Sequence, residues 1–432
     1  MFEFLKGKKL TTIDKKKIAE LLSTNPEALE AFEQAYAIGA LDDEDISENF
    51  FEINSRQAAS MMKKGQELDT EKLSDIKMRI VNELLNECAV WNFDGQKVST
   101  NNNLGSPVEK PVTNEEIKML PEDMRPQLTG NLMKVDINVP SYITILENYI
   151  NFLNEKNPKK REIFYNMFRQ GLDILDLDEI TRRIIAMNKN SMGYWLPQII
   201  EPALATKELK IPKTTIVKVP TTMLQLTRCE YTELTRTTLD IVDEFVRQAF
   251  ALDQNKDYFI KTGLYSSKFD FRNARVNDPK EVREIGEYLL FIHYQALQMA
   301  SPLTKPSIYG VSTTDEWVVR EFIPDKENNP CIYKGLPLHT EYRVFVDFDT
   351  KEIIGISPYW EPNTMKRRFG HESDADSPHK IHDYTIYSMY EPTLMKRYED
   401  NKRQVKYYVE NLINKNESLN GQWSIDIMQN GD

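Results

Sequence analysis

The residues of this chain that could do chemistry fall in four short segments of its second half. The first, Tyr258-Phe-Ile-Lys261-Thr-Gly-Leu-Tyr-Ser266-Ser267-Lys268, ends an apolar strand on a lysine and runs into a Gly/Ser-bearing loop with a second lysine. Such a loop brings backbone N–H groups and point positive charges to phosphates without a Walker motif. The same residues also fit a surface strand with an ordinary turn. The second segment, Trp317-Val-Val-Arg320-Glu321-Phe322-Ile323-Pro324, breaks a short apolar run with an Arg–Glu pair, as an edge or cleft strand does. The third is His339-Thr-Glu341-Tyr-Arg343-Val-Phe-Val-Asp347. Strand period two puts Glu341, Arg343, Phe345 and Asp347 on one face and Tyr342, Val344, Val346 and Phe348 on the other, which is core. The mid-strand guanidinium needs a carboxylate or phosphate partner if it is enclosed, and none if that sheet face is solvated. The fourth, Ser424-Ile-Asp426-Ile-Met428, sets a carboxylate in an apolar strand, and Mg²⁺ on nucleotide phosphates takes one or two such groups.

Other chemistries find little footing. There is no G-x-x-x-x-G-K-[ST], G-x-G-x-x-G, G-x-S-x-G or H-E-x-x-H. Three of the five histidines lie between His371 and His382, beside Asp374, Asp376 and Asp383. His379-x-x-His382 has the ligand types of a metal site, and the segment reads equally as a solvated, charge-rich loop. Cys88 continues an apolar helical stripe and reads as core.

The elements that must position these residues follow from periodicity. Helix is expected over Glu71 to Cys88, Tyr142 to Asn154, Lys159 to Lys189, Thr232 to Leu252, Pro279 to Met299 and Lys396 to Leu412. Asn25-Pro26 starts an earlier one. Strands are expected over Thr214 to Val219, Asp257 to Thr262, Glu316 to Ile323, Glu341 to Phe348, Glu352 to Pro358 and Trp423 to Met428, the fourth and fifth forming a hairpin about Asp349-Thr-Lys351. Residues 94–131, rich in Asn and Pro, read as a linker or long loop. The predicted organisation is α+β: a helical region 1–93, the linker 94–131, a helical region 132–189 and an α+β region 190–432.

At 432 residues the chain suggests roughly three folding units. Hydrophobic residues make up 40% and charged residues 28%, which fits a globular protein. Three well-separated cysteines and the lack of a signal-like N-terminus point to a reducing, cytoplasmic setting. No apolar run suffices for a membrane span, and a net charge of -12 disfavours a general nucleic-acid binder. Met365-Lys-Arg-Arg368 is a local basic exception, and reads most simply as a solvated loop near the cleft.

The order of phosphate lysine, hinge strand, arginine strand and acidic strand resembles the ATP-grasp superfamily. Within it, the sequence looks like the divergent clade that includes the eukaryotic cell-division-cycle protein assembling translation initiation factor 2, with bacterial and phage relatives. The matching pieces are Lys261 with Ser266-Ser267-Lys268, Val318-Val-Arg-Glu-Phe-Ile323, Glu341-Tyr-Arg343-Val-Phe-Val, Ile354-Gly-Ile-Ser-Pro358 and Ser424-Ile-Asp426-Ile, over about residues 190–432. The resemblance implies ATP between two α+β subdomains. It implies Lys261 on the phosphates with Ser266, Ser267 and Lys268 beside it, the backbone of Glu321, Phe322 and Ile323 on adenine, and Mg²⁺ on Asp426. Arg320 and Arg343 would stabilise negative charge, with Glu341 as their orienting partner. The implied activity is an ADP-forming carboxylate–amine ligase working through an acylphosphate, with a peptide or protein among the candidate substrates. The alternative is a non-catalytic ATP-binding assembly factor, a role known on this scaffold. A kinase-like reading of Ile260-Lys261 lacks H-R-D and D-F-G. In the family a further acidic strand follows at once, whereas here Gln429-Asn-Gly-Asp432 reads as a hairpin turn at the chain end. The expectation is therefore a piece of a longer chain, and the alternative an incomplete metal site.

Overall fold

The computed structural model describes residues 70–127, 139–174, 188–227, 234–300, 314–369 and 378–431. The helix expected after Asn25-Pro26 lies outside them, as do His371, Asp374 and Asp376. In chain order come α1 (Thr70–Glu87), β1 (Ala89–Phe93), β2 (Val98–Asn102), α2 (Asn114–Lys118), α3 (Val139–Asn154), α4 (Pro158–Ile174), α5 (Met192–Thr206), β3 (Thr214–Lys218), α6 (Thr221–Leu226), α7 (Arg236–Phe250), β4 (Tyr258–Thr262) and α8 (Phe271–Ala274). They are followed by β5 (Arg275–Val276), α9 (Pro279–Arg283), α10 (Ile285–Ala300), β6 (Glu316–Glu321), β7 (Cys331–Ile332), β8 (Leu336–Pro337), β9 (Glu341–Asp347), β10 (Glu352–Pro358), α11 (Pro362–Phe369), α12 (Pro378–Lys415) and β11 (Gln422–Met428). The fold is mixed helix and strand with antiparallel sheets.

A six-stranded sheet, ordered β2-β1-β3-β6-β4-β5, carries the first lobe. One face holds Val90, Val217, Ile260, Trp317 and Val319, packed against the apolar stripes of α1, α7 and α10 in one continuous core. A fully buried side chain of this size contributes about 1.5–3 kcal/mol. Trp317 avoids the cost of an unpaired donor because its indole N–H donates to His293 Nδ1 at 3.1 Å. The opposite face holds Phe93, Ile216 and Val318 against Met192, Leu196 and Ile200 of α5. The second lobe is a three-stranded sheet, β10-β9-β11, over α12. Tyr342, Val344 and Val346 point into that core, as the alternation requires.

Three departures from the sequence reading have physical causes. Residues 89–102, expected to close a helical region and open a linker, form the β1–β2 hairpin and extend the main sheet through β1 and β3. Its turn is Asp94-Gly95: Gly95 takes φ 99° and the Asp94 carboxylate accepts the amides of Gln96 and Lys97, each at 2.9 Å. Residues of 76–120 share one core with β3, β4 and β6, so the α+β unit does not begin at 190. The single helix expected from Pro279 is two, because Asp243 of α7 accepts the Glu287 amide at 3.1 Å and so caps a fresh helix start.

Helix α5 belongs to both lobes. Met192, Leu196 and Ile200 pack on the large sheet, while Tyr194, Trp195 and Ile199 pack on the core of the small one. It contains Pro197 and Pro202. Proline has no N–H, so Pro202 leaves the carbonyl of Gln198 without its helical donor. Asn416, at the end of α12 and wholly buried, supplies one: its Nδ2 donates to Gln198 O at 2.7 Å. Lys415 Nζ caps Ala205 O at 2.7 Å.

Candidate functional site

Residues paired across an antiparallel ladder share a face. The β4–β6 register therefore sets Phe259 and Lys261 beside Arg320 and Val318, on the side of the large sheet opposite its main core. Arg320 Nε donates to Thr214 Oγ1 at 3.1 Å. Among the described residues, neither Lys261 nor Arg320 has a carboxylate within ion-pairing distance. Burial holds Arg320 down to about 10. Burial likewise pushes Lys261 down to about 7, with Arg320 and Lys268 adding to the effect and Glu316 opposing it. Two neighbouring enclosed cations without an ion-pair partner in contact form a site whose own electrostatics favour an anion.

The turn after β4 has spent most of its donors. The Gly263 amide goes to Glu316 O at 2.9 Å, and those of Leu264 and Tyr265 to Thr262 Oγ1 at 3.3 and 2.9 Å. Ser267 sits at φ 44°, buried, and its hydroxyl donates to Gln295 Oε1 at 2.8 Å. That hydroxyl faces α10 and not the cleft, which corrects its expected place beside a phosphate. Ser266 is half-buried in the same turn. Lys268 then crosses to the second lobe, its ammonium 4.1 Å above the ring of Tyr359. Arg343 Cζ lies 4.6 Å from that ring.

On β9 and β11 the face turned away from the core carries half-buried Glu341 and Arg343 with Asp426. Arg343 meets Asp426 in a two-point pair, Nε to Oδ1 and Nη2 to Oδ2, both at 2.8 Å. The sequence expected Glu341 in that role, and the register explains the difference, since Asp426 lies directly opposite Arg343 while Glu341 faces Met428. Glu341 is left facing Lys268: burial pushes the carboxyl up and the ammonium down, and each draws the other back toward its charged form. Lys261, Arg320, Lys268, Glu341, Arg343 and Asp426 thus run within charge–charge range of one another from the first lobe to the second.

The hinge after β6 departs from expectation too. The Glu321 amide donates to Lys213 O at 3.0 Å and the Phe322 amide to Asp257 O at 3.1 Å, so neither is left for a base. Glu321 also pairs with Lys213 at 3.1 Å. What stands there instead is an aromatic cluster, half-buried Phe259 and Phe322 flanking buried Phe271 at ring separations of 6.0 and 6.3 Å, with the Arg275 guanidinium 4.2 Å over the Phe322 ring.

Sequence reading missed Tyr359, although it follows the quoted Ile354–Pro358 run, and it missed the partners of Glu316. That carboxylate is 3% exposed and accepts Ser191 Oγ at 2.5 Å and the Gly193 amide at 2.7 Å. Among the described residues no three His, Cys, Asp or Glu side chains gather as a metal site. Glu341 and Asp426, on one face of adjacent strands, fit Mg²⁺ in kind and number where phosphates complete the shell. No helix among the described residues is long and apolar enough to cross a membrane. Comparison of the chain with family models, with curated proteins and with solved structures returns no match.

Proposed function

We propose that the cleft between the two sheets binds ATP with Mg²⁺, and that the protein is an ATP-grasp-type, ADP-forming carboxylate–amine ligase. The observation that carries this reading is the enclosed pair Lys261 and Arg320, without a carboxylate in ion-pair contact among the described residues, beside an aromatic cluster. In this reading the phosphates lie on Lys261 and Arg320, and the base lies toward Phe259, Phe271 and Phe322. With the hinge amides of Glu321 and Phe322 spent, stacking carries more of the base recognition than hydrogen bonding does. Glu341 and Asp426 would hold Mg²⁺, which would supply positive charge against the phosphates. A substrate carboxylate displaces ADP from the γ-phosphorus, and an amine then displaces phosphate from the acylphosphate. Lys268 and Arg343 face the charge that develops on the transferring group, and preorganised cations of this kind are the main protein contribution to such chemistry. The second reading, an ATP-binding assembly factor without turnover, draws on the Arg343–Asp426 pair, which already engages both oxygens of the metal-side carboxylate.

Thermal unfolding with ATP and Mg²⁺ tests the binding step. We expect a raised midpoint, worth about 2.7 kcal/mol at a hundred times the dissociation constant, that is abolished by Lys261→Met. No shift in the wild-type chain would defeat both readings. ADP release on addition of carboxylates and amines separates the ligase from the assembly factor.

A further inference from the structure

Glu316 opens β6 on the same face as Lys261 and Arg320, one diagonal step from Lys261 across the ladder. Its carboxyl lies at the N-terminus of α5, where burial pushes its pKa up and the Ser191 hydroxyl and Gly193 amide draw it back toward the charged form. It accepts Ser191 Oγ and the Gly193 amide, while Ser191 Oγ also meets Thr314 Oγ1 at 2.7 Å. The backbone closes the same knot, with the Gly263 amide on Glu316 O at 2.9 Å and the Met192 amide on Gly263 O at 3.1 Å. Two glycines exist in the space this carboxylate needs. A Cβ on Gly193 would fall on Glu316 Oε1, and one on Gly263 would fall on Ser191 Oγ and within 2.7 Å of Glu316 Oε2.

We propose that Glu316 is a positioning residue of the cleft: it locks the turn after β4 to the start of α5, and its negative charge keeps Lys261 a cation before any ligand arrives. The second half rests on the ladder, which pairs Lys261 with Val318 and so sets Glu316 one diagonal step away on the same face. The charged groups facing it are Arg320 and Glu316 from β6 and Lys268 from the turn, two of like sign and one of opposite sign. Around Glu316 the charged groups are Asp315 and, from β3, Lys218. Glu316 is thus the anion that acts on Lys261, while Lys268 has Glu341 and Asp426 beside it. The role matters most under the ATP reading, since an uncharged lysine would hold phosphates poorly, but the lock and the charge stand without a nucleotide.

The test reads Lys261 directly. In the full chain labelled with ¹³C at the lysine ε carbon, the Lys261 resonance is assigned by its loss in Lys261→Arg and followed against pH. The wild-type midpoint should fall near about 7. In Glu316→Gln, which can still accept the Ser191 hydroxyl and Gly193 amide, it should drop by about one unit, a tenfold change in proton affinity. Ser191→Ala, which removes a hydrogen bond and no charge, should leave it in place. Glu316→Asp should move it by less than Gln and serves if Gln fails to fold. An unmoved midpoint in both Glu316 variants overturns the proposal, as does an equal shift from Ser191→Ala. ATP titration of the same proteins is scored separately. ATP should bind about tenfold more weakly to Glu316→Gln near pH 8 and alike to both near pH 5.5, by the same one-unit shift. A wild-type chain that shows the Lys261 shift and binds no ATP retires the nucleotide reading and leaves the positioning role intact.

Discussion

Asp243 is 4% exposed on α7, with the Glu287 amide on its oxygen and Arg236 3.8 Å away. Burial pushes its carboxyl up to about 8, and the neighbouring Glu287 charge adds to the effect. A carboxyl raised in the folded state contributes stability that is fully present below its unfolded value, 3.8, and is lost as pH climbs through about 8. Asp243→Asn should therefore flatten the fall in unfolding free energy between about pH 4 and about pH 8, measured by urea unfolding; an unchanged slope would assign the fall to other groups. Arg343 and Asp426 differ in kind. At 39% and 40% side-chain exposure their pair contributes no more than about 1 kcal/mol to stability, so its geometry matters chiefly to whatever enters the cleft. Strand period two was enough to put Glu341 and Arg343 on one face. The choice of Asp426 over Glu341 depends on β9–β11 register, which pairs residues 83 apart in sequence and leaves no local trace.

The elements divide by whether their signal is local. The five-residue core of β4 and the hairpin β9–β10 were legible because apolar alternation and a short turn lie within a few residues. The β1–β2 hairpin carries the same kind of signal in Asp94-Gly95, but β2 is exposed throughout, and a polar edge strand has no apolar alternation to announce it. The break between α9 and α10 was hidden for another reason: its cap comes from a different helix. The glycines at the α5 start and the β4 turn are decided the same way, by a side chain more than fifty residues off in sequence. Gly263→Ala should cost about 1–3 kcal/mol by overpacking, and Ser191→Gly in the same chain should recover part of that loss. Chemical denaturation of the two single variants and the double variant checks this; additive losses would place the strain elsewhere.

At the scale of the whole molecule the charged residues of the cleft come from both lobes, so any ligand that touches Lys261 and Arg343 together must hold the two sheets at a fixed separation. The linear sequence drew its boundary at 190, where strand texture begins. The fold instead gathers α1, β1, β3, α7, β4, α10 and β6 around one core and lets α5 run on into the other. Texture tracks local propensity, whereas a domain boundary depends on which apolar faces meet, and α1 shows its stripe without showing its partner.

Mechanically, α5 is an axle with a bearing at each end. Its front end is joined to the Lys261 loop through Glu316 and Gly263, and farther along it is fastened to the second lobe by Asn416 on the Gln198 carbonyl, by Lys415 on the Ala205 carbonyl and by the packing of Tyr194, Trp195 and Ile199. Pro202→Ala would restore an amide that competes for that carbonyl, loosening the rear bearing while leaving both apolar cores in place. Amide exchange over 409–419 should then quicken, with β3 and β6 unchanged; equal quickening in both would mean that the helix itself had failed. The same linkage implies that a load placed on Lys261 is delivered, through one stiff rod, to the floor beneath Arg343. The carbonyl that Pro202 leaves open is one of the contacts through which that coupling runs.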